Sequence, residues 1–200
     1  MFHPEEATVH RPTPHEELTG VYLVDPVRSA IGFSARRALC TDVRGNFTEF
    51  EGLLKLDGGS PARSEAYLSV QTGSVNTGSP ERDAHVTGPE FLDSATFPLM
   101  SFRSAGVLDA GADRLRLAGY LRIKGVELPV HLDLAFRARG RDACGRDLVG
   151  LEGTFGPRRP GAGPGPDGTP APGPGGLPLS ERLKLTDAIS AVRTRPGQPR

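Results

Sequence analysis

From Thr19 onward, apolar and polar residues alternate at period two in one run after another. That period belongs to strands whose two faces meet different surroundings. In the run 115–123, Leu115, Leu117, Leu121 and Ile123 share one side, while Arg116, Tyr120 and Arg122 share the other. Val130, Leu132, Leu134 and Phe136 fall together in the next run, as do Phe50, Leu54 and Leu56 earlier, and Ala66, Leu68 and Val70 after them. Every strand therefore has one face to bury, and few architectures bury them all.

The connections narrow the choice. Asp57-Gly58-Gly59-Ser60-Pro61, Ala110-Gly111-Ala112-Asp113 and Lys124-Gly125 are hairpin-type turns, so successive strands form an antiparallel meander. Such a meander hides its apolar faces by closing on itself or by folding into a sandwich, and long strands favour closure. The expected fold is all-β, an antiparallel barrel of about eight strands. The single helical candidate spans 80–93. Ser79 is placed to cap it, Pro80 takes its first position, Glu81 its first turn, and Gly88-Pro89 splits it into two short pieces.

Composition excludes several functions. The 24 acidic and 24 basic residues cancel, and the basic ones are scattered, so no footprint for nucleic acid or an anionic membrane surface exists. No apolar run approaches the roughly 18 residues of a spanning helix, so the chain is not expected to be an integral membrane protein. Residues 1–6 do not read as a secretory signal, which makes a cytoplasmic location the expectation. Cys40 and Cys144 are far apart and belong to no closely spaced pair, which argues against a structural zinc or a redox motif. His3, His10 and His15 lie in a polar, proline-bearing stretch, residues 1–18, that reads as a flexible arm rather than a metal site. No metal or other cofactor is expected.

Charged residues, aromatics and turn formers crowd together in 77–102. Within it stand Arg82-Asp83-Ala84-His85, Glu90-Phe91-Leu92-Asp93, Phe97-Pro98 and Phe102-Arg103-Ser104. With Leu23-Val24-Asp25-Pro26, Ser29, Phe33, Val43-Arg44-Gly45-Asn46-Phe47, Ser74-Val75-Asn76-Thr77-Gly78 and Gly119–Val126, they form an ordered set over 19–153 that resembles the YceI family of lipocalin-like polyisoprenoid-binding proteins. The resemblance implies an elongated lipocalin-like β-barrel, a short helix beside it, and an apolar interior that holds an isoprenoid chain without catalysis. Carried onto this chain, the residues expected to contact lipid are Phe33, Phe50, Leu54, Leu68, Val70, Phe91, Met100, Phe102, Leu117, Leu121, Leu132 and Leu134. Each could equally be plain core, since a small barrel can be filled by its own side chains. Arg82, Asp83 and His85 would stand at the barrel mouth, with Arg82 and Asp83 favoured as a structural pair at the helix start.

The pattern fails after Gly153. Residues 154–176 hold eight glycines and seven prolines, a composition expected to be disordered, and they read as an insertion or a local change of reading frame. Alternation returns in 179–193, where Leu183, Leu185, Ile189 and Ala191 would face inward with Asp187 as an unwelcome carboxylate, tolerable at a bulge or a rim. The barrel domain is thus expected over 19–193, interrupted at 154–176, with a flexible tail over 194–200. Three functions follow from the sequence: carriage or sequestration of an isoprenoid or similar long-chain lipid, a non-catalytic interaction protein with a filled or incomplete barrel, or an enzyme using His85, Asp83 or Glu90. Monomer and homodimer remain open.

Overall fold

Each run of alternation forms a strand. The computed structural model of the chain describes residues 18–36, 42–111, 113–157 and 184–194. Among them lie β1 (Gly20–Val24), β2 (Ala30–Arg36), β3 (Asp42–Phe47), β4 (Phe50–Leu56), β5 (Glu65–Gln71), β6 (Val75–Asn76), helix α1 (Pro80–Thr87), β7 (Leu99–Ala110), β8 (Arg114–Ile123), β9 (Val126–Arg141), β10 (Asp147–Pro157) and β11 (Lys184–Arg193). All pairings are antiparallel.

Three pairs of short strands are halves of longer ones. β1 and β2 both lie along β11, β4 pairs β1 while β3 pairs β2, and β5 and β6 follow β4 and β3 in the same way. Joined end to end, they leave eight long strands, each bonded to the next in sequence. The last closes on the first through Tyr22↔Arg193, Leu23↔Val192 and Val24↔Ala191. Closure pairs every described strand except β6 on both sides, which removes most of the edge through which sheets aggregate.

The two ends differ. At one, which we call the turn end, lie the connections 57–64, 110–113 and 142–146 and the start of β1. At the other, the lid end, α1 and the turns after it pack beside the β8–β9 hairpin. That hairpin is tight: Lys124 and Gly125 adopt φ of 48° and 75°, a left-handed pair suited to the twist of the strands it joins.

Three boundaries differ from the sequence reading. Leu18, placed in the arm, is 7 % exposed and belongs to the core; residues 1–17, with their three histidines, lie outside the described residues. Thr154–Pro157, assigned to the disordered block, continue β10 and pair with β9, Thr154 also meeting Thr186 of β11. Val149, Leu151, Gly153 and Phe155 of β10 are all buried, so the inward parity runs on past Gly153. Thr194, placed in the tail, is bonded to Val21 O through its amide (2.8 Å) and hydroxyl (3.1 Å). Residues 158–183, Cys40 and 195–200 lie outside the described residues. Asp187 pairs in the backbone ladder with Gly153 of β10 and Ile31 of β2.

Candidate ligand-binding site

The inward faces meet in one continuous apolar core. A row of neighbours crosses five strands, Gly52, Leu68, Phe102, Leu121 and Leu128, and a second crosses four, Val107, Leu117, Leu132 and Phe155. Of the twelve residues expected to contact lipid, Phe33, Leu54, Leu68, Val70, Met100, Phe102, Leu117, Leu121, Leu132 and Leu134 are buried here, and Phe50 packs against them half-buried. Phe91 does not join them. It lies in the turns after α1, half-exposed, with its ring 5.9 Å from that of His85, and the adjacent Leu92 enters the core instead. Sequence reasoning passed over Tyr22, Ile31 and Phe155, all buried inside. Their period-two spacing from Val24, Phe33 and Leu151 was the available signal.

Large side chains in the bore fit because glycines stand beside them. A Cβ at Gly119 would come within 2.5 Å of the Phe102 ring, and one at Gly45 within 2.8 Å of Phe33. Phe102 in turn meets Phe155 edge-on at 5.0 Å, a favourable aromatic geometry. The Phe102, Phe155 and Phe33 rings thus interlock with neighbouring glycines inside the bore. Among the described residues, the buried ones with polar side chains are Ser64, Ser69, Thr72 and Ser74, all hydroxyls, and at the turn end the Asp142 side chain, paired with Arg146, is only 5 % exposed.

The lid end is a structural cap. Asp83 Oδ1 accepts hydrogen bonds from the Thr77 amide and hydroxyl, both at 2.7 Å, while Arg82 Nη2 donates to Thr77 O at 3.0 Å. Both residues therefore fasten the helix start to the segment after β6. Val86 and Leu92 are pressed into the core, and Lys124 Nζ ties the far hairpin to Pro89 O at 2.6 Å. Ser79 takes the N-cap position but its side chain makes no capping bond, and the second helical piece is a set of turns closed by Asp93 N to Gly88 O at 2.8 Å. His85 and Glu90 are both exposed, and no hydrogen bond or ion pair joins them. Arg82, Asp83 and His85 thus lie on α1 at the lid end, where Arg82 and Asp83 hold the helix start.

The turn end is looser. There a cleft of about 20 Å³, room for little more than one water, lies between Leu18, Leu56, Leu115, Phe136, Asp57 and Arg114 among others. Asp57 is committed: it accepts from Ser60 N (2.8 Å) and Arg63 Nε (2.8 Å), and the Ser60 amide, followed by Arg63, holds its carboxyl below the usual range. Nearby, Arg193 donates to Tyr22 Oη (3.0 Å) and pairs with Asp147 (2.8 Å). Burial pushes the Tyr22 phenol up while Arg193 pulls it back.

A closed antiparallel barrel with an apolar bore and a helix at one end is a lipocalin-like barrel. Within that class the chain belongs to the YceI-like domain family, whose model matches residues 22–159. A UPF0312 protein of Azotobacter vinelandii is 34% identical over 109 residues, 54% of this chain and 57% of that protein, so the chain spans little more than half of that relative's length. Among solved structures, Burkholderia cenocepacia BcnA aligns over 86% of this chain and 99% of its own at a TM-score of 0.62 and 19% identity. A polyisoprenoid-binding domain from Saccharophagus degradans implicated in plant cell wall breakdown aligns over 86% and 98% at 0.54 and 14%. At such identities the structures speak for the fold alone. Among the described residues no helix is long and apolar enough to cross a membrane, and no cluster of metal-ligating side chains occurs.

Proposed function

We propose that this barrel binds a single long apolar chain of isoprenoid type and carries or sequesters it without chemistry. The observation that carries the reading is the continuous apolar interior from Leu18 at the turn end to Val86 and Leu92 at the lid. Each methylene that such a bore takes from water contributes about 0.8 kcal/mol. A few isoprene units then outweigh the cost of ordering the chain. The polyisoprenoid-binding domain of similar fold supports the same ligand class.

Entry requires the packed side chains to move. The cleft of about 20 Å³ is far below the several hundred Å³ of a typical ligand pocket, and this favours a second reading, an interaction protein whose barrel is filled by itself. Organic extraction of the purified protein followed by mass spectrometry separates the two. Stoichiometric prenyl lipid, or uptake of added polyprenol, is expected for the carrier; neither is expected for the filled barrel.

A further inference from the structure

We infer that the Phe102–Phe155 pair is a length stop: it divides the bore midway and limits the prenyl tail that this barrel takes to a few units. The inference rests on the lipid-binding reading and adds its chain-length specificity. Phe102 stands on β7 and Phe155 on β10, three strands apart around the wall. Their rings nevertheless meet edge-on, with centroids 5.0 Å apart. Both are buried, and each reaches inward from its own side, so together they bridge the bore.

The bridge has little room to open. Phe102 already lies in the notch left by Gly119 on β8, where a Cβ would come within 2.5 Å of its ring. It has retreated into the wall, and Phe155 still touches it. The aliphatic neighbours Leu117, Leu121 and Leu132 can turn between staggered rotamers to make way for a chain. A phenyl ring keeps its full breadth in every rotamer.

Position along the axis sets the length. Gly119, beside the Phe102 ring, is four residues from Leu115 at the turn-end cleft and four from Ile123 at the β8–β9 hairpin. At about 3.4 Å per residue and a tilt near 40°, each half of the bore is roughly 10 Å deep. An extended isoprene unit, four carbons along the chain, spans about 5 Å at ordinary C–C bond lengths. Each half therefore holds about two units, and this is so from whichever end the chain enters.

Equilibrium dialysis of the full chain against geraniol, farnesol and geranylgeraniol, alcohols of two, three and four isoprene units, tests the stop. For the unmodified chain, affinity is expected to rise from geraniol to farnesol and then level, with geranylgeraniol within about twofold of farnesol. Phe155→Ala is expected to hold geranylgeraniol at least about tenfold more tightly than farnesol, since each further methylene buried is worth about fourfold. Leu134→Ala, opposite Leu115 in the turn-end half, makes room without touching the bridge, and its profile is expected to level where the unmodified chain's does. Phe155→Leu is expected to shift the profile in the same direction by a smaller factor, and it carries the test if the alanine variant does not fold. A profile that climbs to geranylgeraniol in the unmodified chain, or the same plateau in the Phe155 variants, overturns the stop while lipid binding stands. If no prenol binds the unmodified chain or any variant, the lipid-binding reading falls and the stop with it.

Discussion

Ser29 replaces backbone where the long first strand breaks step. Between Val24 and Ala30 the first strand advances six residues while β11 advances three, from Ala191 to Ala188, so a bulge forms. An Asx turn folds it, with Val27 N on Asp25 Oδ1 at 3.0 Å, and Ser29 Oγ accepts from Ser190 N at 2.9 Å while donating to Ser190 O at 3.2 Å. Ser29→Ala leaves that part-buried amide unpaired and is expected to lower stability by about 1–2 kcal/mol, read as a lower urea midpoint at constant slope. Gly119 is the other residue with a specific duty. A methyl there meets both the Phe102 ring and Arg103 O at 2.5 Å, so Gly119→Ala is expected to cost about 1–3 kcal/mol. Combined with Phe102→Leu it should cost less than the sum of the two, because they share the contact; strict additivity in a double-mutant cycle would show that the ring does not need the glycine.

At the scale of elements, much of the wall was legible because period two survives burial. The inward faces of β4, β5, β8 and β9 are those the alternation marks, since each sheet face meets a different medium. The site was less legible. Phe91 and Leu92 are adjacent and both apolar, and only the tertiary position of the turns after α1 decides which one enters the core. Likewise, nothing local distinguishes the lid end from the turn end. The turn end has its own chemistry: Asp57 and Asp142 both accept backbone amides and both have their carboxyls lowered, Asp142 chiefly by Arg146 N. A carboxyl with a depressed folded pKa stabilises the fold above its ordinary value near 4 and loses that contribution as pH falls through the folded value. The stability gap between the unmodified chain and Asp57→Asn is therefore expected to be widest near neutrality and to narrow below about pH 4. Denaturant curves at a series of pH values measure it, and a gap that stays constant into acid would rule out the carboxylate as the cause.

For the molecule as a whole, what matters is how the wall closes around 158–183. The composition of 154–176 read as an interruption of the barrel, because glycine has no side chain to alternate and proline no amide to donate to a ladder. The strands on either side answer differently. β10 and β11 stay in unbroken register from Leu148↔Val192 to Thr154↔Thr186, and β11 goes on to meet β1 and β2. Its position is thus fixed by two neighbours, whatever length of chain connects it to β10. Replacing 158–183 with eight Gly/Ser residues should leave the barrel intact and raise its stability by about 1 kcal/mol, since each doubling of a flexible loop costs only about 0.6 kcal/mol. Near-ultraviolet circular dichroism and a urea titration check this together. An unchanged spectrum with a slightly higher midpoint is the expected outcome, whereas a chain that loses its tertiary signal would mean that part of 158–183 belongs to the wall.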